Sequence, residues 1–113
     1  MLNLSFNGRE VVQNIRELGF WTKMIGLEGG VFGDKIYFKT RFGIHTFGLY
    51  NSIDVLVLGK DGRVGAVFQN LGPNQMRFWN PKFEHVFELP AGTLKRVENI
   101  KTGIFMWYDR ESI

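Results

Sequence analysis

The sequence predicts a small α+β domain that is mainly β, built as a rolled antiparallel sheet or barrel. One main helix near the N-terminus and a short helical turn near residue 95 complete this prediction. Asn7-Gly8 and Asp61-Gly62 stand between extended runs, and such turn dipeptides are typical of β-hairpins. The chain also contains 14 glycines but only 3 prolines, which suits short strands separated by tight turns. A chain with many strand edges protects them best by rolling its sheet.

The N-terminal part combines a predicted hairpin with the predicted helix. Residues 2–6 alternate apolar and polar side chains, and Asn7-Gly8 turns the chain into a short second arm over 9–12. Over residues 14–27 the spacing changes, because apolar side chains recur every three or four positions: Ile15, Leu18, Trp21 and Ile25. This spacing is typical of one face of a helix, and we expect the glycines that follow to end it.

Further strands are predicted after the helix, at residues 35–39, 53–58, 64–68, 85–89 and 104–108. The segment 53–58 is apolar on both faces, which is typical of a central strand covered from two sides. Residues 71–81 are polar and contain glycine and proline, so we expect a loop there. Thr93 is a suitable cap for one or two helical turns over 93–98. Together these elements fit one domain over residues 1–113.

Composition favours a cytoplasmic domain and argues against several other classes of protein. The chain contains no cysteine, which excludes disulfides, thiolate zinc sites and cysteine nucleophiles. Its first residues lack the basic segment and apolar core of a signal peptide, and no apolar run approaches the ~18 residues of a membrane span. The net charge of +3 is spread along the chain, so charge alone does not indicate a nucleic-acid partner.

Catalytic and metal sites find little support, so the sequence favours a non-enzymatic protein without a metal or a cofactor. His45 and His85 lack the close spacing of a metal-binding pair. Ser52 lacks the G-x-S-x-G turn of a nucleophile elbow, although His45 and Asp54 lie nearby in the sequence. Asp54 interrupts an apolar run, and a buried carboxylate needs partners. We expect these to be backbone N–H groups, an arginine or lysine, or His45.

Basic and aromatic side chains alternate over residues 77–83, where the candidate contacts are Arg77, Phe78, Trp79 and Lys82. Such side chains can stack on the bases of a single strand of nucleic acid while the cations neutralise its backbone. The same pattern arises when a long loop anchors itself to the core with a tryptophan and a phenylalanine. Both interpretations stay open at this point.

Six short motifs follow one another along most of the chain. They are KMIGL at 23–27, IHTFGL at 44–49, SID at 52–54, DGRV at 61–64, LGP at 71–73 and ELPAG at 88–92. In this order they resemble the domain of unknown function 192 family, with Lys23 in place of arginine, Leu49 in place of methionine and no proline before Ile53. The resemblance implies a compact barrel-like α+β fold without an established activity. It also directs attention to His45 and Asp54, with Asn51 between them.

The leading interpretation is a non-enzymatic single-domain protein that binds a small ligand or a partner protein through a cleft beside residues 45–54. His45, Asn51 and Asp54 are the candidate pocket or structural polar cluster. Weak single-stranded nucleic-acid binding through the loop 77–83 is the first alternative, and an enzyme of unrecognised class is the second.

Overall fold

A computed structural model describes residues 1–18 and 35–110, and the regular secondary structure of these residues is almost entirely β. The nine strands are β1 (Leu2–Phe6), β2 (Arg9–Glu17), β3 (Ile36–Lys39), β4 (Gly43–His45), β5 (Ile53–Leu58), β6 (Val64–Leu71), β7 (Met76–Phe78), β8 (His85–Pro90) and β9 (Phe105–Asp109). A 3₁₀ helix over Leu94–Arg96 lies between β8 and β9, which is where the short helical turn was predicted. Two of the strands, β4 and β7, were not predicted, and β7 lies inside the expected loop 71–81.

Seven strands form one sheet in the order β6-β5-β8-β3-β2-β1-β9, and β4 and β7 form a separate two-stranded sheet. Neighbours in the large sheet are antiparallel except for β2 and β3, which are parallel. The two ends of the large sheet meet, because Arg63 forms an antiparallel bridge with Ile104 and the Phe105 N–H donates to the Gly62 carbonyl at 2.9 Å. The sheet is therefore rolled and closed on itself. Glycine is required at this contact, since a Cβ at Gly62 would lie 1.9 Å from the Phe105 carbonyl oxygen.

The rolled sheet encloses one core and carries a second on part of its outside. The enclosed cluster draws on six of the seven strands and includes Leu4, Ile15, Leu56, Leu58, Phe87, Leu89, Leu94 and Phe105. The outer cluster draws on fewer strands and consists of Ile36, Phe38, Val55, Val57, Leu71 and Val86. Strand β5 contributes alternate residues to both clusters, which confirms that it is a central strand covered on two sides.

The predicted helix over residues 14–27 is wrong where the structure describes it, and so is the α+β class. Residues 14–17 belong to β2, and the described residues contain no α-helix. Of the residues that suggested a helix face, Ile15 belongs to the enclosed core cluster whereas Leu18 packs against the outer one, so these two residues lie on opposite faces of the sheet. Register shifts from Leu4↔Val12 to Leu2↔Ile15, so β2 carries one extra residue there, and Asn14 adopts a φ of 60°. This β-bulge lies just before Ile15 and lets both Val12 and Ile15 reach the enclosed core. Residues 19–27 of that prediction lie outside the described residues.

Other local predictions succeed because turn chemistry decides them. Asn7 and Gly8 have φ values of 51° and 83°, as a type I′ hairpin turn requires, and they join β1 to β2. Thr93 occupies the N-cap position of the 3₁₀ helix, but its side chain makes no capping hydrogen bond.

Within the described residues, the structure contains no helix with the length and hydropathy of a membrane span.

Candidate functional site

Strands β4 and β7 form a short ribbon that presents one face to solvent. The ribbon pairs Gly43 with Phe78, Ile44 with Arg77 and His45 with Met76. Directly opposed residues share a face, and successive pairs alternate between faces. Ile44 packs against the outer core cluster, so the opposite face points away from the body. That face carries His45, Met76 and Phe78.

Aromatic and apolar side chains dominate the exposed face of the ribbon. Met76 is 51% exposed and Phe78 is 66% exposed. Phe47 is also exposed and its ring stacks on His45, with centroids 5.0 Å apart and an interplanar angle of 27°. We call the surface of His45, Phe47, Met76 and Phe78 the outer ribbon face. A contiguous exposed apolar patch is informative about function in a way that a single exposed apolar residue is not.

Thr46 fixes the ribbon to the loop that precedes β7. Its side chain is buried, and its hydroxyl donates to the Gly72 carbonyl at 2.7 Å and accepts from the Gln75 N–H at 2.8 Å. Its backbone N–H donates to the Gln75 carbonyl at 2.9 Å, and its carbonyl accepts from Asn74 at 3.2 Å. These bonds connect two loops that are far apart in the sequence. The outer ribbon face is therefore presented on a defined backbone.

The strands of the ribbon also approach each other closely at Gly43. A Cβ at this position would lie 2.3 Å from the Arg77 carbonyl oxygen and 2.9 Å from Phe78 Cδ1. Any side chain would push the two strands apart. Glycine at 43 therefore lets the Phe78 ring pack over the backbone of the opposite strand.

The three residues of the predicted polar cluster occupy two different environments. His45 and Asn51 are exposed, whereas Asp54 is completely buried. His45 Nδ1 accepts from the Phe47 N–H at 3.3 Å, which turns the imidazole toward the ribbon. Among the described residues, no hydrogen bond, ion pair or ring contact joins His45 or Asn51 to Asp54. The cluster expected from the sequence is not assembled in the fold.

Asp54 connects two backbone segments inside the protein. Its Oδ1 accepts from the Asn70 N–H at 2.8 Å, and its Oδ2 accepts from the Leu94 N–H at 2.9 Å. Asn70 has a φ of 55° and lies beside a register shift between β5 and β6. Leu94 is the first residue of the 3₁₀ helix. Backbone N–H groups, one of the expected kinds of partner, thus occupy both carboxylate oxygens.

The four candidate residues of the nucleic-acid loop also differ in exposure, because two are partly buried and two are exposed. Trp79 donates its Nε1–H to the Phe83 carbonyl at 2.7 Å and packs on Phe68, with ring centroids 6.5 Å apart. Arg77 is half-buried and donates to the Met76 carbonyl at 2.7 Å. Phe78 and Lys82 are exposed. Trp79 is therefore an anchor of the loop, and Phe78 belongs to the outer ribbon face.

Sequence reasoning missed a buried pair of Tyr37 and His85. The Tyr37 hydroxyl lies 2.7 Å from His85 Nδ1, and the Trp107 ring packs on His85 with centroids 4.7 Å apart. Burial raises the pKa of Tyr37 to about 12, and the nearby carboxylates of Glu17 and Glu84 act in the same direction. Burial lowers the pKa of His85, against the opposing effect of Glu84. No sequence signal identified this pair, because it depends on the register of β3 against β8.

Metal ligands are not clustered in the described part of the chain. Within residues 1–18 and 35–110, no group of three or more histidine, aspartate or glutamate side chains is placed to hold a metal ion. His45 lies on the ribbon, whereas His85 begins β8 of the large sheet. The two histidines thus belong to separate parts of the fold.

The rolled sheet with its attached ribbon is a fold found in solved structures. A protein of unknown function from Novosphingobium aromaticivorans superposes with a TM-score of 0.70 at 14% identity, over 94% of this chain and 83% of that one. A protein from Sinorhizobium meliloti, provisionally described as a transcription regulator, superposes with a TM-score of 0.64 at 16% identity, over 94% of this chain and 91% of that one. No family model and no curated sequence matches the chain. At such identities the likeness shows the fold alone.

Proposed function

We propose that this domain is a non-enzymatic binding module that holds an extended apolar segment of a partner protein on the outer ribbon face. The observation that carries the proposal is the contiguous exposed surface of His45, Phe47, Met76 and Phe78. Aromatic side chains and methionine are enriched at protein interfaces, and methionine adapts to different partners. Phe42 and Tyr50 lie before and after β4 in the sequence. Both are exposed aromatic residues, and Tyr50 is 94% exposed.

The ribbon also offers main-chain hydrogen bonds to such a segment. Within the described residues, β4 and β7 pair only with each other, so each strand keeps one unpaired edge. An extended peptide can add to an unpaired edge, where main-chain bonds supply affinity and side-chain contacts supply specificity. The hydrogen bonds of Thr46 and the close strand approach at Gly43 preorganise the ribbon, so less conformational entropy is lost on binding.

A selection from random dodecapeptides displayed on phage tests the proposal. We expect the enriched peptides to alternate apolar and polar residues, as a strand laid on one apolar face does. Met76→Glu should weaken the selected peptide about tenfold or more in calorimetric titration, because a charge would replace an apolar contact. Met106→Glu is the matched control, since Met106 is 64% exposed but lies on β9. Equal affinity of both variants for the peptide, or a selection that enriches nothing, would overturn the proposal.

Single-stranded nucleic acid is the second candidate partner for the same surface. Phe78 and Lys82 are the exposed aromatic ring and the exposed cation of the loop 77–83, and such residues can stack on bases and neutralise a phosphate backbone. The charges nearby are less favourable, because Arg41 is paired with Glu84 at 3.0 Å and Arg77 donates to the Met76 carbonyl. Titration with oligothymidylate at two salt concentrations decides this candidate. Binding at low salt that weakens with added salt would support it, and its absence at low salt would remove it.

Family membership, a cytoplasmic location and the enzymatic alternative are three further proposals. Membership of the domain of unknown function 192 family rests on the six motifs, of which all but 23–27 fall within the described residues. A cytoplasmic location and the enzymatic alternative have no further support from the arrangement of side chains. A homologue profile and a cellular fractionation would test the first two directly.

A further inference from the structure

An open cleft lies beside the turn between β5 and β6, and none of the four residues of the outer ribbon face lines it. Its volume is about 470 Å³, and its lining comes from the turn between β5 and β6, from the loop before β8 and from Arg41. Lys60, Lys82, Phe83 and His85 are among the residues that line it. This volume suits a small molecule rather than a polymer.

The charge of the cleft is positive and partly uncompensated. Two of its cations are paired, Arg41 with Glu84 at 3.0 Å and Arg63 with Asp61 at 3.3 Å. Lys60 and Lys82 also line the cleft, and neither ammonium group has an ion-pair partner among the described residues. Four cations against two carboxylates leave a net charge of +2 on the lining. Charges of one sign in a cleft concentrate ligands of the opposite sign.

His85 gives the cleft a buried hydrogen-bond donor. The residue is only 9% exposed, lines the cleft and has its Nδ1 2.7 Å from the Tyr37 hydroxyl. In the tautomer with the proton on Nε2 the hydroxyl donates to Nδ1, whereas the other tautomer would leave the Tyr37 O–H without an acceptor in the described part of the chain. A neutral imidazole that accepts at Nδ1 carries its proton on Nε2. Nε2 has no hydrogen-bond partner within residues 1–18 and 35–110, which is costly for a buried donor.

The wall of the cleft is fixed before any ligand binds. The Phe83 ring packs on two glycines, since a Cβ at Gly65 would lie 2.2 Å from Phe83 Cγ and one at Gly59 would lie 3.3 Å from Phe83 Cδ1. The Phe83 carbonyl accepts from Trp79 at 2.7 Å. The loop that carries Lys82 is thus held against the body. A preorganised cleft loses less entropy on binding.

We propose that this cleft binds a small molecule that carries a phosphate group. Lys60 and Lys82 neutralise the phosphate, and His85 Nε2–H donates to one of its oxygens. Two unpaired ammonium groups match the two negative charges of a phosphate monoester, whereas one carboxylate would leave one of them unpaired. The cleft shares no residue with the outer ribbon face, so this proposal does not depend on the proposed binding of a partner protein.

Calorimetric titration with inorganic pyrophosphate at low salt tests this site. We expect Lys60→Ala and Lys82→Ala each to weaken binding about tenfold, because each removes one charge-assisted contact. Lys101→Ala removes the same charge from an exposed position outside the cleft and should leave the affinity unchanged. Equal affinities in all three variants, or no measurable binding by the wild-type protein, would overturn the proposal.

The nitrogen chemical shift of His85 provides a second readout. Pyrophosphate should shift the Nε2 resonance of His85 in the wild-type protein and leave that of His45 in place, because only His85 lines the cleft. Binding without a shift at His85 would contradict the role given to that residue. An unchanged melting curve for the lysine variants without ligand would establish that lost binding is not lost folding.

Discussion

Asp54 and His45 stand nine positions apart in two neighbouring motifs, yet the fold gives them opposite surroundings. Asp54 is completely buried and both of its oxygens accept backbone N–H groups, at 2.8 and 2.9 Å. His45 is exposed and its ring stacks on Phe47. Because Asp54 is completely buried, its carboxylate is not accessible to a ligand, and its two backbone partners give it a structural role. An exposed ring on a rigid ribbon is accessible, so nearness in sequence does not make one site of the two residues.

The largest effect is expected from Asp54→Asn. The amide would place an N–H₂ group against one of two backbone donors, and one buried N–H would lose its acceptor. We expect the free energy of unfolding to fall by about 3 kcal/mol, measured by urea denaturation. Glu98→Gln makes the same chemical change at an exposed position and should alter stability by less than ~0.5 kcal/mol. Equal stability of the two variants would remove the structural role of Asp54.

A second comparison sets the neighbours Trp79 and Phe78 against each other. Trp79→Phe deletes the hydrogen bond to the Phe83 carbonyl, and we expect it to cost about 1 kcal/mol of stability. Phe78→Ala should change stability by less than ~0.5 kcal/mol, because its ring is 66% exposed. Phe78→Ala should nevertheless lower the affinity for the selected peptide. Thermal melts and peptide titrations of both variants test this. A larger loss of stability in Phe78→Ala than in Trp79→Phe, or a larger loss of peptide affinity in Trp79→Phe, would contradict these roles.

The pH dependence of stability distinguishes the buried histidine from the exposed one. The folded pKa of His85 is lowered by burial, so its contribution is complete above the unfolded value of about 6.5 and is lost as pH falls below it. Urea midpoints should therefore decrease as pH falls below about 6.5. His85→Asn should flatten this decrease. His45→Ala leaves His85 in place and should retain it.

Tyr37 produces the corresponding effect at alkaline pH. Its folded pKa is raised to about 12 by burial, so its contribution is complete below the unfolded value of about 10 and is lost as pH rises from there. Tyr37→Phe should flatten the loss of stability between those two values. A wild-type urea midpoint that stays constant over this range would contradict the burial of the hydroxyl.

The sequence predicted those parts of the fold that local chemistry decides. Asn7-Gly8 requires a tight hairpin, and the doubly apolar run of β5 requires cover on both faces. The helix prediction failed where the structure describes it because a spacing of three, as between Ile15 and Leu18, also arises between residues on opposite faces of a sheet. Strands β4 and β7 were missed because each has three residues, too few for a periodic pattern.

The candidate site was predictable only in part, for a related reason. His45 and Phe78 stood out as polar and aromatic residues at unusual places, and both lie on the outer ribbon face. Their nearness depends on the pairing of β4 with β7, which joins segments about thirty residues apart in the chain. The buried pair of Tyr37 and His85 depends on the register of β3 and β8 in the same way. Long-range register, rather than residue type, was the missing information.

The smallest effect on stability is expected from His45→Ala, and this variant connects stability to binding. Its melting temperature should stay within about one degree of wild type, because the exposed ring contributes little to the core. Its affinity for the selected peptide should fall about tenfold, since the stacked pair with Phe47 is lost. Asp54→Asn, studied at a temperature where it remains folded, should bind the peptide as wild type does.

Backbone amide NMR during titration with the selected peptide is the most direct test of the account. We predict that the shifted amides cluster at residues 43–47 and 75–78, and that amides around Asp54 and in the cleft of Lys60 and Lys82 stay in place. Slowed hydrogen exchange along one edge of β4 or β7 would accompany them. Shifts centred on Asp54, or on the cleft, would contradict the assignment of binding to the outer ribbon face.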